Sequence, residues 1–125
     1  MIQTAIYVAL GGALGAVGRY GVNVTTTRLF GPGFPWGTVT VNVLGSFLMG
    51  VIVVALAHKG GMRFAPFLMT GVLGGFTTFS AFSLDTVALV ERGDMVQAAL
   101  YVIGTVVVGL MAIFAGMALT RMVLA

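Results

Sequence analysis

Four long apolar stretches, each interrupted by very few charges, constrain this chain more than any other feature of its sequence. They cover roughly residues 4–25, 37–57, 64–90 and 95–120. Because a bilayer's hydrocarbon core takes about 20 apolar residues per helix, each stretch is long enough to cross it. Hydrophobic residues make up 59% of the chain and charged residues 7%, which is more apolar surface than a water-soluble domain of this size can bury. The sequence predicts an all-α integral membrane protein, one domain of four transmembrane helices over 1–125.

The charged residues are few and scattered, and this excludes several classes of function. Six basic and three acidic side chains give a net charge of +3, too little for a nucleic-acid-binding surface. Without cysteine, the chain has neither a disulfide framework nor a thiolate metal site. No His, Asp and Glu cluster has metal-ligand spacing, and no nucleophile is accompanied by a base. We therefore expect no enzyme, no nucleic-acid partner, and the lipid bilayer as the chain's surroundings.

The basic residues fall almost equally on the two sides of the membrane. With four spans both termini lie on one side, called side A, and the other is side B. The basic residues are Lys59, Arg63 and Arg121 on side A, and Arg28 and Arg92 on side B, with Arg19 near the side-B end of the first helix. Because orientation normally follows an excess of Lys and Arg in cytoplasmic loops, two interpretations stay open. Either a small bias fixes one orientation, or the chain inserts in both, which would permit an antiparallel homodimer.

Small residues four positions apart indicate close approach of helix backbones. The pairs are Gly11 with Gly15, Ser46 with Gly50, and Gly71 with Gly75. Such pairs let transmembrane helices pack tightly, either within one subunit or between two.

The third stretch contains the segment GVLGGFTTFSAFS, residues 71–83, in which paired glycines interrupt an apolar helix. A glycine inside a helix costs roughly 1 kcal/mol relative to alanine. The pair either packs closely in an unbroken helix or breaks the helix near its middle, at Gly74 and Gly75. A break would free backbone carbonyls such as those of Gly74 and Thr77, which an ion, water or protein must then satisfy. Taken alone, the glycine pair favours the unbroken helix; together with the motifs described below, we expect a third helix broken near its middle.

Polar and aromatic side chains recur at helical spacing in the later three stretches. The polar sets are Thr38, Asn42 and Ser46; Thr77, Ser80 and Ser83; and Tyr101 with Thr105, while Phe79 and Phe82 share a further face. Such faces either hydrogen-bond neighbouring helices or line a route for an anion. A phenylalanine ring has a positive edge, so a ring held edge-on can contact an anion without trapping it.

Two ionisable residues, Arg19 and Asp85, lie within the predicted spans, and both approach side B. They either form an ion pair, or Arg19 draws anions into a vestibule while its stem reaches toward water. His58, beside Lys59 at the edge of a connection, is expected to be solvated at a helix end.

These motifs resemble the Fluc family of fluoride channels, also called CrcB. The matching elements, in order, are GGALGAVGRY, GTVTVNVLGSF, GVLGGFTTFSAFS and the tyrosine of the fourth helix, which together cover nearly the whole chain. The resemblance implies an antiparallel, dual-topology homodimer in the inner membrane, with two fluoride pathways and a central structural sodium ion (Na+). It also implies passive export of cytoplasmic fluoride, which lowers fluoride toxicity.

The resemblance also implies roles for individual residues. Backbone oxygens of Gly74 and Thr77 from both subunits would hold the sodium ion, and Arg19 would be the vestibule cation. The fluoride pathway would be lined by Phe79, Phe82, Asn42, Ser83, Tyr101 and Thr105. The chain departs from the family pattern at Asp85, where glutamate is frequent, and at Gly109, where serine is.

Two rival classes share the small size and the four spans. A small dual-topology, proton-coupled multidrug-type exporter would use a glutamate in its first helix, and AIYVALGGALGAVG contains none. A non-transporting assembly factor would explain the glycines but not the ordered phenylalanine and hydroxyl faces.

Overall fold

The structure is a computed structural model that describes residues 1–125, and it consists of helices without strands. Helix α1 spans Ile2–Phe30, α2 spans Trp36–His58, and α5 spans Met95–Leu124. The third span, Met62–Glu91, is composite. Each of the four is long and apolar enough to cross a membrane, which confirms the predicted all-α membrane architecture. The helices extend beyond the predicted apolar stretches, most of all α1 and α5, because their terminal turns reach past the hydrocarbon core.

The side chains face outward in the manner expected of a lipid-exposed protein. Only 15 of the 125 residues are buried, whereas Leu14, Val17 and Phe114 expose 61–71% of their surface. A water-soluble chain would bury such residues. Their exposure therefore agrees with a lipid environment around the helices.

Glycine allows the backbone of α1 to touch that of the third span. A Cβ atom built on Gly11 would lie 2.5 Å from the carbonyl oxygen of Phe67, and one on Gly75 would lie 2.6 Å from that of Gly12. A Cβ on Gly15 would overlap the carbonyl oxygen of Val72. The predicted small-residue pairs of α1 and the third span thus serve packing within the subunit.

Glycines also allow the backbones of α2 and α5 to come into close contact. A Cβ on Gly50 would overlap the carbonyl of Ile113, and one on Gly116 would overlap the carbonyl of Phe47. This close contact fixes the two helices whose polar side chains face the third span.

The third span is broken, as the sequence predicts. It begins with a 3₁₀ turn at Met62–Phe64 and continues as a π-helix over Pro66–Leu73 and a short α3 at Gly74–Phe76. Helix α4 then spans Ser80–Glu91. Between them Thr77 is extended, with φ −87° and ψ 160°.

The break does not occur at the paired glycines, and this part of the prediction was wrong. Gly74 is helical, with φ −61° and ψ −37°, and Gly75 lies within α3. The helical backbone at Gly75 packs directly on α1, because a Cβ there would collide with the backbone of Gly12. The chain leaves the helix only at Thr77, and the side chain of Asn42 in α2 takes over the backbone hydrogen bonds of the next residue, Thr78.

Candidate functional site

Asn42 of α2 holds the break in the third span. Its Oδ1 accepts a hydrogen bond from the backbone N–H of Thr78 at 2.8 Å, and its Nδ2 donates to the carbonyl oxygen of the same residue at 2.9 Å. One side-chain amide therefore replaces the two helical hydrogen bonds that Thr78 lacks. The Oγ1 atom of Thr78 in turn accepts from the N–H of Ala81 at 3.1 Å and so caps the start of α4.

Arg19 contacts the end of the first half of the broken span. Its Nε donates to the carbonyl oxygen of Gly75 at 3.1 Å. The carbonyl of Leu73 accepts from both the N–H and the Oγ1 of Thr77, at 3.0 and 2.9 Å. These contacts satisfy two of the carbonyls near the break.

Two other carbonyls near the break have no donor. The carbonyl oxygens of Gly74 and Thr77 accept no hydrogen bond from any group in the chain. Gly74 is exposed on the surface of the subunit and Thr77 is half-buried. Carbonyl oxygens are hard ligands suited to hard cations, and no cluster of His, Asp or Glu side chains could hold a metal elsewhere. The atoms at the break that could bind a cation are therefore backbone carbonyl oxygens.

A cavity of about 490 Å³ opens beside the break, and we call it the central cavity. Its polar lining is Asn42, Ser46, Thr77, Thr78 and Thr105, and its aromatic lining is Phe79 and Phe82. The hydroxyls of Ser46 and Thr105 make no hydrogen bond within the chain, so their protons are free for a ligand. No charged residue lines the cavity.

Phe79 and Phe82 form an aromatic pair at one wall of the central cavity. Their ring centroids are 5.8 Å apart and the rings are tilted by 45°. Phe79 exposes 78% of its surface, so this wall is open on the side away from the subunit. Gly109, which also lines the central cavity, leaves space for a serine side chain, because a Cβ there would lie 3.7 Å from the Oγ of Ser46.

Ser83 and Tyr101 do not line the central cavity. Ser83 is exposed, and its hydroxyl donates to the carbonyl of Phe79 at 3.1 Å. Tyr101 is 1% exposed, and its hydroxyl donates to Oδ2 of Asp85 at 2.9 Å. The structure therefore brings together six of the residues that the sequence singled out and places these two outside the group: the six are Asn42, Gly74, Thr77, Phe79, Phe82 and Thr105.

Asp85 belongs to a second cavity, the side-B cavity, of about 320 Å³. Its Oδ2 accepts from Thr38 Oγ1 at 2.7 Å as well as from Tyr101. The predicted alternative of an ion pair between Arg19 and Asp85 is not formed, because each has another partner. Arg92 with Asp94, at 3.0 Å, is the chain's only salt bridge.

Sequence reasoning missed two features of the site. It placed Thr38 on the same face of α2 as Asn42. Thr38, however, donates to Asp85, whereas Asn42 hydrogen-bonds the backbone at the break. It also assigned no role to Phe34, which lies in the connection between α1 and α2 and whose ring packs against Tyr101. The spacing of four along α2 indicated Asn42 and Thr38 together but could not separate their partners, and no spacing signal links Phe34 to Tyr101.

The four spans, the interrupted third helix and the uncharged cavity at its break together define a multi-span membrane protein of the channel or transporter class. The family model described as "CrcB-like protein, Camphor Resistance (CrcB)" matches residues 6–117. The chain therefore belongs to the CrcB family.

Relatives in this family are similar over almost their whole length. A protein of Cereibacter sphaeroides named fluoride-specific ion channel FluC is 64% identical over 121 residues, 97% of each chain. Proteins of the same name from Paracoccus denitrificans and Agrobacterium fabrum are 55% and 53% identical, again over 97% of this chain and 97–98% of the relative.

Proposed function

We propose that this chain is a fluoride-selective ion channel that lets cytoplasmic fluoride leave passively across the inner membrane. The observation that carries the proposal is the uncharged central cavity at the helix break, with its free hydroxyl donors and paired rings. The names of the CrcB relatives point to the same ion, and they are names of channels rather than enzymes.

The chemistry of the central cavity suits a small, strongly hydrated anion. Such an ion leaves water only if other donors replace its hydration shell. The hydroxyls of Ser46 and Thr105 and the positive ring edges of Phe79 and Phe82 are donors of this kind. Because no full positive charge lines the cavity, the ion can also be released, which conduction requires.

The same surface supports an antiparallel homodimer. The central cavity is open where Phe79 is 78% exposed, and the donor-free carbonyl of Gly74 lies on the exposed surface beside it. Backbone carbonyls at membrane depth need protein, water or an ion. A second copy in the opposite orientation would close both cavities, which gives two pathways, and would bring four carbonyls, of Gly74 and Thr77 from each subunit, to one central structural sodium ion.

Proton-coupled export is disfavoured by the distribution of acids. Helix α1 carries no acidic residue, and no carboxylate lines the central cavity. The carboxylate inside the membrane, that of Asp85, is held by two hydroxyls in the side-B cavity. A drug exporter of this size would need a carboxylate in the transport route.

Fluoride efflux from proteoliposomes, followed with a fluoride electrode, tests the function. We expect the wild type to release fluoride and to retain chloride, and Phe79→Ile and Phe82→Ile to lower the fluoride rate. Phe114→Ile is the matched control, because Phe114 is 71% exposed on α5 and lines neither cavity. Absence of fluoride release by the wild type would overturn the proposed function, and unchanged rates in both variants would remove the rings from the pathway.

The sodium ion and the dimer have their own tests. Replacing sodium by N-methylglucamine should weaken dimerisation, measured by subunit exchange at low protein density, and lower the fluoride rate. Equal dimerisation without sodium would contradict the sodium site. Reporter fusions at Ala125 should be found on both sides of the membrane, and a single orientation would contradict the antiparallel dimer.

A further inference from the structure

A row of aromatic rings runs from the first connection to the central cavity. The ring centroids of Trp36 and Phe34 are 4.8 Å apart, and those of Phe34 and Tyr101 are 5.6 Å apart in a T-shaped contact at 89°. Tyr101 lies 5.1 Å from Phe82, which lies 5.8 Å from Phe79. The connection on side B is thus in contact, ring by ring, with the aromatic pair of the central cavity.

Tyr101 is the central member of this row and is held on three sides. Its ring lies between those of Phe34 and Phe82, and its hydroxyl donates to Asp85. It is 1% exposed, so it has no other room to move into. The position of Tyr101 therefore sets one boundary of the space in which the Phe82 ring lies.

Phe34 is the only contact of Tyr101 in this row that comes from outside the membrane helices. The backbone around it is anchored, because Arg92 Nη2 donates to the carbonyl of Gly33 at 2.8 Å and the N–H of Trp36 donates to the carbonyl of Phe34 at 2.8 Å. Phe34 also lines the side-B cavity. An anchored ring from the connection is therefore packed edge-on against Tyr101.

We propose that Phe34 is a positioning residue of the fluoride pathway: through its T-shaped contact with Tyr101 it fixes the Phe82 ring at the wall of the central cavity. Aromatic pairs favour such geometry beyond their apolar area alone, so an aliphatic residue of similar bulk does not replace the ring. The inference rests on the proposed function, because it assigns Phe34 to the same pathway.

The test compares three variants in the fluoride efflux assay. Phe34→Leu keeps apolar bulk but removes the ring, and we expect the fluoride rate to fall about 2- to 10-fold, the range that one aromatic contact represents. Phe34→Tyr keeps the ring and should restore the rate. Phe30→Leu is the matched control, since Phe30 contacts Trp36 at 5.8 Å but not Tyr101, and it should leave the rate unchanged.

The rescue by tyrosine separates positioning from mere support of the fold. Unfolding in dodecyl sulfate is measured on all three variants, and if Phe34→Leu does not assemble, Phe34→Met takes its place with the same expected results. If the wild type releases fluoride but Phe34→Leu releases it at the same rate, the inference is overturned and the proposed function stands. The same holds if Phe34→Leu and Phe34→Tyr lose the same share of the fluoride rate. A wild type without fluoride release would instead overturn the proposed function, and the inference with it.

Discussion

The two hydrogen bonds from Asn42 to Thr78 give the sharpest test of how the broken helix is stabilised. Asn42→Ala removes both, at 2.8 and 2.9 Å, and leaves an N–H and a carbonyl without a partner inside the membrane. Hydrogen bonds between membrane helices are worth about 0.6–1.7 kcal/mol each. A buried backbone group without a partner costs about 1–3 kcal/mol.

For two bonds these values give a loss of about 2–4 kcal/mol in the free energy of unfolding. That loss corresponds to a change of about 30- to 700-fold in the folding equilibrium. The measurement is reversible unfolding of the subunit in mixed dodecyl sulfate micelles, with helical circular dichroism as the signal. Fluoride efflux should fall as well, since the break positions Phe79 next to the central cavity.

Ser46→Ala is the matched control for this prediction. Ser46 lies one turn further along the same face of α2 and lines the same cavity, but its hydroxyl bonds to nothing in the chain. Its loss should change the unfolding free energy by less than about 0.5 kcal/mol. If Asn42→Ala and Ser46→Ala were equally stable, the reasoning that one amide replaces the missing helical bonds would be refuted.

Asn42→Asp separates the two bonds. The aspartate keeps an oxygen that can accept from the N–H of Thr78, but it loses the donor to the Thr78 carbonyl and places a carboxylate against it. We expect a loss at least as large as that of Asn42→Ala. Wild-type stability of Asn42→Asp would show that the carbonyl bond contributes nothing.

Three further substitutions test other contacts. Gly15→Ala should destabilise the subunit by about 1–3 kcal/mol through overlap with the third span, whereas Gly12→Ala, with open space around its Cβ, should change the unfolding free energy by less than about 0.5 kcal/mol. Gly109→Ser should be tolerated and add a hydroxyl to the central cavity, so the fluoride rate should be equal or higher; a collapse of efflux would contradict the assigned lining. Tyr101→Phe removes one of two hydroxyl donors to Asp85 and should cost about 1–2 kcal/mol, measured by the same unfolding assay.

The membrane architecture could be predicted from the sequence because it depends on composition over long windows. The four spans follow from runs of apolar residues, and a break in the third span follows from the unusual segment at 71–83. Both features are local in the chain. Helix ends could not be predicted to the residue, since the terminal turns of α1 and α5 leave the hydrocarbon core without any change in helical propensity.

The position of the break and the partners of the polar residues depend on contacts that are distant in sequence. Helix propensity points to Gly74 and Gly75, but both residues are helical, α1 packs directly on Gly75, and Asn42 stabilises the nonhelical backbone at Thr78 instead. Tyr101 and Thr105 share a helix face by spacing, yet only Thr105 lines the central cavity, whereas Tyr101 packs against Phe82 and donates to Asp85. Spacing identifies a shared face but not the cavity to which each residue belongs.

The backbone carbonyls around the break bear on the stability of the isolated subunit. Asn42 and Arg19 satisfy those of Thr78 and Gly75 from within the subunit, but those of Gly74 and Thr77 have no donor. A polar group without a partner in an apolar medium costs roughly 2–7 kcal/mol, so two such groups outweigh much of a small protein's stability. Because no side chain of this subunit satisfies them, we expect the isolated subunit to be markedly less stable than the proposed dimer, and this difference should shrink when the proposed sodium ion is withdrawn.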